Sequence, residues 1–190
     1  MTRKKRRDES GLIHHACLHA VSDEFVFVHD EDRIGYLLML AATVTRYGWL
    51  CLSYCLMGTH LHLLIETPEP TFIAGMHWLH TRYATAVNKQ RNRDGHLFKA
   101  RYHDELVLTD GHLINVAGYI ALNPVEAGLC KDPRDWQWGS HQRVAAGTPA
   151  PWMAHDRLVE RLEAITGSRS SYEAIVASRL RGLAPGGLAP

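Results

Sequence analysis

The fold is decided by the stretch Trp49-Leu50-Cys51-Leu52-Ser53-Tyr54-Cys55-Leu56-Met57-Gly58-Thr59-His60-Leu61-His62-Leu63-Leu64-Ile65-Glu66. Two apolar runs, Trp49 to Met57 and His60 to Glu66, flank the turn pair Gly58-Thr59, so the stretch reads as an antiparallel hairpin. Before it, Asp30 to Tyr47 has helical spacing, with Ile34, Leu37, Leu38, Ala41 and Val44 on one stripe. Asp30 is expected as the N-cap, and Gly48 ends that helix. Earlier still, Leu12 to Val21 reads as a strand that runs out near Ser22-Asp23-Glu24. After the hairpin, Pro68 and Pro70 break the pattern and Thr71 caps a helix running to about Gln90. Asn92 to Gly95 is a turn, and Leu97 to Leu108 a further strand. Thr109 or Asp110 then caps a helix from about Gly111 to Asn123, which Pro124 limits.

The order β-α-β-β-α-β-α, with a hairpin between two helical crossovers, predicts an α+β fold. Its form is a ferredoxin-like sandwich, an antiparallel sheet with helices packed on one or both faces. The predicted division is a basic tail over 1–10, a catalytic-type domain over 11–141, and a C-terminal helical appendage with a flexible tail over 142–190. Within the last part, 153–166 and 170–181 read as short helices, and Gly182 to Pro190 is Gly/Ala/Pro-rich and expected to be disordered.

The chain has 190 residues, of which 46% are hydrophobic and 22% charged, the mix of a soluble globular protein. No apolar run approaches the roughly 18 residues of a membrane span. The charged start, Met1 to Arg7, has no apolar segment behind it, so a secretory signal is not expected. The four cysteines, Cys17, Cys51, Cys55 and Cys130, form no CxxC pair, which removes zinc-ribbon and thioredoxin-like readings. A reducing cytoplasm is the expected setting.

The net charge of +1 hides a division along the chain. Arg3, Lys4, Lys5, Arg6 and Arg7 open it. Residues 11–80 hold only Arg33 and Arg46 against seven acids, and residues 81–105 hold Arg82, Lys89, Arg91, Arg93, Lys99 and Arg101 against three. Such clusters can neutralise phosphates although the total is near zero, or they can be a solvated face.

Histidine is the anomaly, with 13 residues. On a strand, residues i and i+2 share a face, so His60 and His62 stand side by side while Leu61, Leu63 and Ile65 point into the core. Two neighbouring imidazoles can ligate one divalent metal. The pair alone also fits histidines with a structural role. In Gly118-Tyr119-Ile120-Ala121-Leu122-Asn123-Pro124, Tyr119 and Asn123 lie one turn apart on one helical face. Taken alone they suit a buried tyrosine and a capping asparagine better than a phenol nucleophile beside an amide ligand.

Taken together, three ordered blocks resemble the single-tyrosine HUH transposases, and among them the REP-associated tyrosine transposases. The first is Tyr54 to Leu64 with its His60-Leu61-His62 core. The second is Phe98-Lys99-Ala100-Arg101-Tyr102. The third is Tyr119-Ile120-Ala121-Leu122-Asn123-Pro124-Val125-Glu126-Ala127-Gly128-Leu129, followed by Trp136-Gln137-Trp138-Gly139-Ser140. The resemblance spans roughly residues 11–141. The chain departs from it at Gly58-Thr59, where relatives usually have Pro-Asn, and at Val21-Ser22-Asp23-Glu24, where they often have Arg-Gly-Asn. Glu126 stands where they often show a basic residue.

The resemblance implies an enzyme that cleaves and rejoins single-stranded DNA at hairpin-bearing, palindromic sites through a 5′-phosphotyrosine intermediate. It implies Tyr119 as nucleophile and His60, His62 and Asn123 as ligands of Mg²⁺ or Mn²⁺. DNA contacts are expected from Arg101, Tyr102, Arg82, Lys89, Arg91 and Arg93, with Trp78 as an alternative stacking platform to Tyr102. His103 and His112 are speculative helpers for deprotonating the phenol, while Trp136 and Trp138 are expected to be packing residues. A homodimer in a bacterial cytoplasm, acting at the nucleoid, is also implied. Three other readings remain: a nucleic-acid-binding protein that does not cut; a metal-dependent hydrolase using water, which needs a further carboxylate or histidine ligand and a general base; and a purely structural α+β domain with solvent-exposed histidines.

Overall fold

The computed structural model describes residues 7–21 and 25–183. The basic run Arg3 to Arg6, the loop residues Ser22 to Glu24 and the tail from Ala184 onward lie outside them. β1 (Leu12–His19), α1 (Asp30–Tyr47), β2 (Leu50–Leu56), β3 (His60–Thr67), α2 (Phe72–Gln90) and β4 (His103–Leu106) form the ferredoxin-like unit. Its sheet has the order β2-β3-β1-β4, with every neighbouring pair antiparallel. α3 (Asp110–Glu126), α4 (Ser140–Ala145), α5 (His155–Thr166) and α6 (Ser171–Leu183) follow.

Both sheet faces are covered. Leu61, Leu63 and Ile65 join Leu18, Tyr36, Leu40, Phe72 and Leu79 in a core against α1 and α2. Leu64, Ile13 and Leu52 join Ile120, Leu158, Leu162, Tyr172 and Val176 in a second core against α3, α5 and α6. This double burial explains why β3 is buried from Leu61 to Thr67 with no polar alternation beyond its histidines and end.

Several local expectations are corrected. The α1 stripe is turned: Tyr36, Leu40, Thr43 and Val44 face the core, while Ile34 and Leu38 are exposed. Tyr36 decides the rotation, because its ring packs edge-on against both Phe27 and Tyr83. His29, not Asp30, holds the N-cap position, and the Asp32 carboxylate accepts from the backbone N–H of Val28 and His29 at 2.8 and 2.9 Å. A carboxylate at the third helical position reaches back to the entry backbone better than one at the first. Pro124 lies inside α3, which continues to Glu126. Its missing N–H forfeits one bond to a carbonyl four residues back, tolerable in a last turn packed against the sheet. The strand expected over Leu97–Leu108 is regular only from His103 to Leu106; upstream, Phe98 makes one isolated bridge to Ala20. Gly182 and Leu183 belong to α6 rather than to a tail.

The outer edge of β2 is closed by residues far along the chain. The Leu56 N–H donates to the Trp138 carbonyl at 3.0 Å, and the Tyr54 N–H to the Ser140 hydroxyl at 3.0 Å. The Trp136 indole N–H donates to the Leu56 carbonyl. Trp136 and Trp138 are thus packing residues. Glu66, buried on the α3 side, accepts from Arg157 and Arg161 of α5 at 2.7–3.4 Å, tying that helix to the sheet. All four cysteines are free, and no helix of the described residues is long and apolar enough to cross a membrane.

Candidate active site

The site lies where α3 crosses the sheet face that carries His60 and His62. Strand pairing sets Cys17 opposite His62 and His19 opposite His60, so His15, Cys17 and His19 of β1 share that face. His19 stacks on His60 at 5.1 Å between centroids. α3 is held over the face by Val116, Ala117, Ile120 and Ala121, which are buried. Its Gly118 meets α6, and a Cβ there would come to 3.1 Å from Ile175. The packing turns Tyr119 and Asn123 toward the histidines.

The contacts are specific. His60 Nε2 lies 3.2 Å from Asn123 Oδ1, and its Nδ1 lies 3.1 Å from the Thr59 hydroxyl. The Tyr119 ring meets that of His62 edge-on at 5.2 Å. Asn123 stands one helical turn after Tyr119 and works against the effect of burial on the phenol. His62 Nδ1 lies 3.1 Å from His15 Nε2, while His62 Nε2 is buried with no partner among the described residues.

Burial lowers the pKa of His60 and His15, and pushes that of His62 down to about 3, so the rings are neutral near pH 7. Neutral imidazole is the ligating form. Burial raises the Tyr119 pKa; Asn123 and the Arg179 charge act in the opposite direction. Arg179 of α6 places its guanidinium carbon 5.7 Å from the centre of the Tyr119 ring and donates to Glu126 at 3.1 Å.

The donor set fits a divalent cation: two imidazoles and one amide oxygen, with the Nε2 of one imidazole buried and left without a partner among the described residues. Such a set has room for the substrate and water oxygens that Mg²⁺ or Mn²⁺ prefers. Among the described residues, no group of three or more His, Cys, Asp or Glu is placed to hold a metal by itself.

The other expected site residues are spread out. Arg101 is exposed and lines a cavity of about 380 Å³ with Cys17, His19, Thr59, Lys99 and His103, beside the histidine pair. Asp104 and Glu105, its nearest carboxylates in sequence, are engaged by His14 and His112. Tyr102 is buried, edge-on to Phe72. Arg82 lies on the Trp78 ring at 4.7 Å, Lys89 is exposed, and Arg93 approaches the His96 carbonyl. Arg91 turns inward, to Asp32 at 2.7 Å and to the carbonyls of Phe25 and Val26. That ties its guanidinium to the α1 entry. His103 is exposed, and His112 stands 3.6 Å from Glu105.

Sequence reasoning missed His15 and Arg179. The alternation His15, Cys17, His19 was a signal for the first, usable once β1 is known to pair with β3. Nothing local points to Arg179, which reaches the site from a helix 60 residues beyond Tyr119.

The structure thus brings two histidines of a ferredoxin-like sheet against a tyrosine on the helix that crosses it. The chain is 26% identical over 112 residues to a Haemophilus influenzae protein described as a candidate REP-associated tyrosine transposase, covering 53% of this chain and 64% of that protein. The match thus spans just under two thirds of the relative's length. The solved structure of a REP-associated tyrosine transposase bound to a REP hairpin superposes with a TM-score of 0.64 at 15% identity, covering 80% of this chain and 90% of that one. A candidate transposase from Deinococcus radiodurans aligns at 22% identity over 63% of this chain and 95% of its own, with a TM-score of 0.43. No family model matches the chain. In sequence and in fold, the chain is similar to the REP-associated tyrosine transposases.

Proposed function

We propose that this protein is a single-stranded DNA nicking and joining enzyme, a transposase of the HUH type acting on hairpin-bearing DNA. One observation carries the reading: α3 brings Asn123 Oδ1 to 3.2 Å from His60 Nε2 and, one turn earlier, the Tyr119 ring against that of His62. That convergence is what covalent phosphoryl transfer to a tyrosine requires.

In the proposed reaction the Tyr119 phenolic oxygen bonds to phosphorus as the bond from phosphorus to the 3′ oxygen breaks. The phenol loses its proton, and the departing 3′ oxygen gains one. The strand is left as a 5′-phosphotyrosine and a free 3′-OH, and another 3′-OH reverses the step. The ester linkage is conserved, so no nucleotide cofactor is consumed. His60, His62 and Asn123 would hold Mg²⁺ or Mn²⁺, which when bound supplies Lewis-acid polarisation of the phosphate. Asn123, one turn along α3, favours the phenolate. Arg179 adds positive charge over the ring. Arg101 and Lys99, beside the histidines, are placed to receive the backbone of the incoming strand. Arg82, Lys89 and Arg93 are proposed as further contacts to DNA, and homodimerisation and a cytoplasmic setting belong to the same proposal.

A hydrolase using water is less well supported. Glu66, the carboxylate on the histidine strand, is committed to Arg157 and Arg161. The test is to mix the protein with a labelled single-stranded oligonucleotide bearing a hairpin, in Mg²⁺ or Mn²⁺. A covalent product surviving denaturing electrophoresis, absent in Tyr119→Phe, is expected. Retention of DNA without adduct would instead identify a binding protein.

A further inference from the structure

We infer that His15 is a positioning residue: by accepting a hydrogen bond from His62 Nδ1–H, it fixes His62 in the tautomer whose Nε2 lone pair is free to ligate a metal. The inference rests on the proposed metal-holding role of His62.

Two nitrogens 3.1 Å apart in a buried setting share one proton between them. If that proton belonged to His15, His62 would accept at Nδ1 and carry its own hydrogen on Nε2. That Nε2 is buried and has no partner among the described residues, so an N–H there would be a stranded donor and could not ligate. Stranded buried donors are rarer than under-used acceptors. If the proton belongs to His62, the unpartnered Nε2 is a bare lone pair, which is what a metal needs. His15 then carries its own hydrogen on Nδ1. That nitrogen is not among the stranded buried atoms, and Glu105 stands across the ladder from His15.

His60 is arranged differently. Its Nε2 faces the Asn123 carbonyl oxygen, an acceptor, so without metal the hydrogen sits on Nε2 and the Thr59 hydroxyl donates to Nδ1. Ligation at His60 requires that hydrogen to move, and a hydroxyl can serve either state because it both donates and accepts. His62 needs no such change. Ligand histidines are commonly oriented by a second hydrogen bond of this kind, whose loss weakens metal binding.

The test uses the full-length, metal-free protein labelled with ¹⁵N at histidine. Long-range ¹H–¹⁵N spectra near pH 7.5 report the tautomer of each ring. His62 is expected as the Nδ1–H form; an Nε2–H form overturns the inference, even in a protein that makes the DNA adduct. In His15→Phe, which removes the acceptor, Mn²⁺ affinity by calorimetry is expected to fall about 10–100-fold. His15→Gln keeps an acceptor oxygen and is expected to retain both the tautomer and most of the affinity. Unchanged tautomer and affinity in His15→Phe would also overturn it. Should the wild type give no adduct yet show this tautomer and this dependence of Mn²⁺ binding on residue 15, the inference stands and the transposase reading fails. The spectrum of the wild type needs no variant to fold.

Discussion

The ring of Tyr119 meets that of His62 edge-on, with centroids 5.2 Å apart and planes at 81°. A side chain of α3, the helix that follows the ferredoxin-like unit, is thereby packed against the middle of its sheet. The contact uses the aromatic ring, and the chemistry proposed for Tyr119 uses only its oxygen, so the two can be separated by substitution.

Tyr119→Phe keeps the ring and its packing. Stability is expected to change by no more than about 1 kcal/mol, measured by denaturant unfolding. Formation of the covalent DNA adduct is expected to fall by on the order of 10³-fold or more, as for loss of a nucleophile. Robust adduct formation by this variant would falsify the assignment of the nucleophile.

Asn123→Ala removes a buried amide bonded to a strand histidine. The lost hydrogen bond to His60 is expected to cost about 1–3 kcal/mol of stability. Mn²⁺ affinity and adduct yield should fall together. A variant as stable as the wild type, with unchanged Mn²⁺ binding, would show that the amide is peripheral.

Acid should destabilise the protein well above the carboxylate range. Burial lowers the pKa of His15, His60, His141 and His155, and takes His62 and His80 down to about 3. In the unfolded chain each ring returns to about 6.5. Between the folded and unfolded values the unfolded chain binds protons that the folded chain does not. Stability is therefore fully present above about pH 6.5. It declines as pH falls, by up to about 1.4 kcal/mol per pH unit for each such ring. The Asp32 and Glu66 carboxylates, whose pKa values are lowered, add losses only below about pH 4. Urea midpoints at about pH 7.5 and about pH 5 check this; equal midpoints contradict it.

Gly75→Ala probes the α2 face against the sheet. A Cβ at position 75 would fall within the Trp49 indole, which is buried and pinned by its N–H bond to the Thr71 hydroxyl at 3.2 Å. Overpacking of this kind is expected to cost about 1–3 kcal/mol. Thermal unfolding reads the loss directly, and an unchanged midpoint would mean that the indole can move aside.

The parts of the site that follow a local period were legible in the sequence. His60 and His62 share a face because a strand alternates, and Tyr119 and Asn123 share one because a helix returns after four residues. Ferredoxin-like topology followed from the hairpin between two helices. Long-range partners were not legible. Ile34 and Leu38 fitted a helical stripe, but Tyr36, caged by Phe27 and Tyr83, set the rotation of α1. Arg91 belonged to a basic cluster by sequence, yet its charge is spent on Asp32, 59 residues earlier. His15 gains its meaning from the register of β1 on β3, which no single strand reveals.

The closed rim of β2 also limits how copies of this protein can associate. With Leu56 and Tyr54 already bonded to the Trp138–Ser140 segment, a neighbour cannot lengthen the sheet on that side without unzipping it. The opposite rim is β4, four residues long and including His103, Asp104 and Glu105, a short and charged template for continuation. Assembly of two chains is thus steered toward helix surfaces, where Ile34 and Leu38 already lie uncovered.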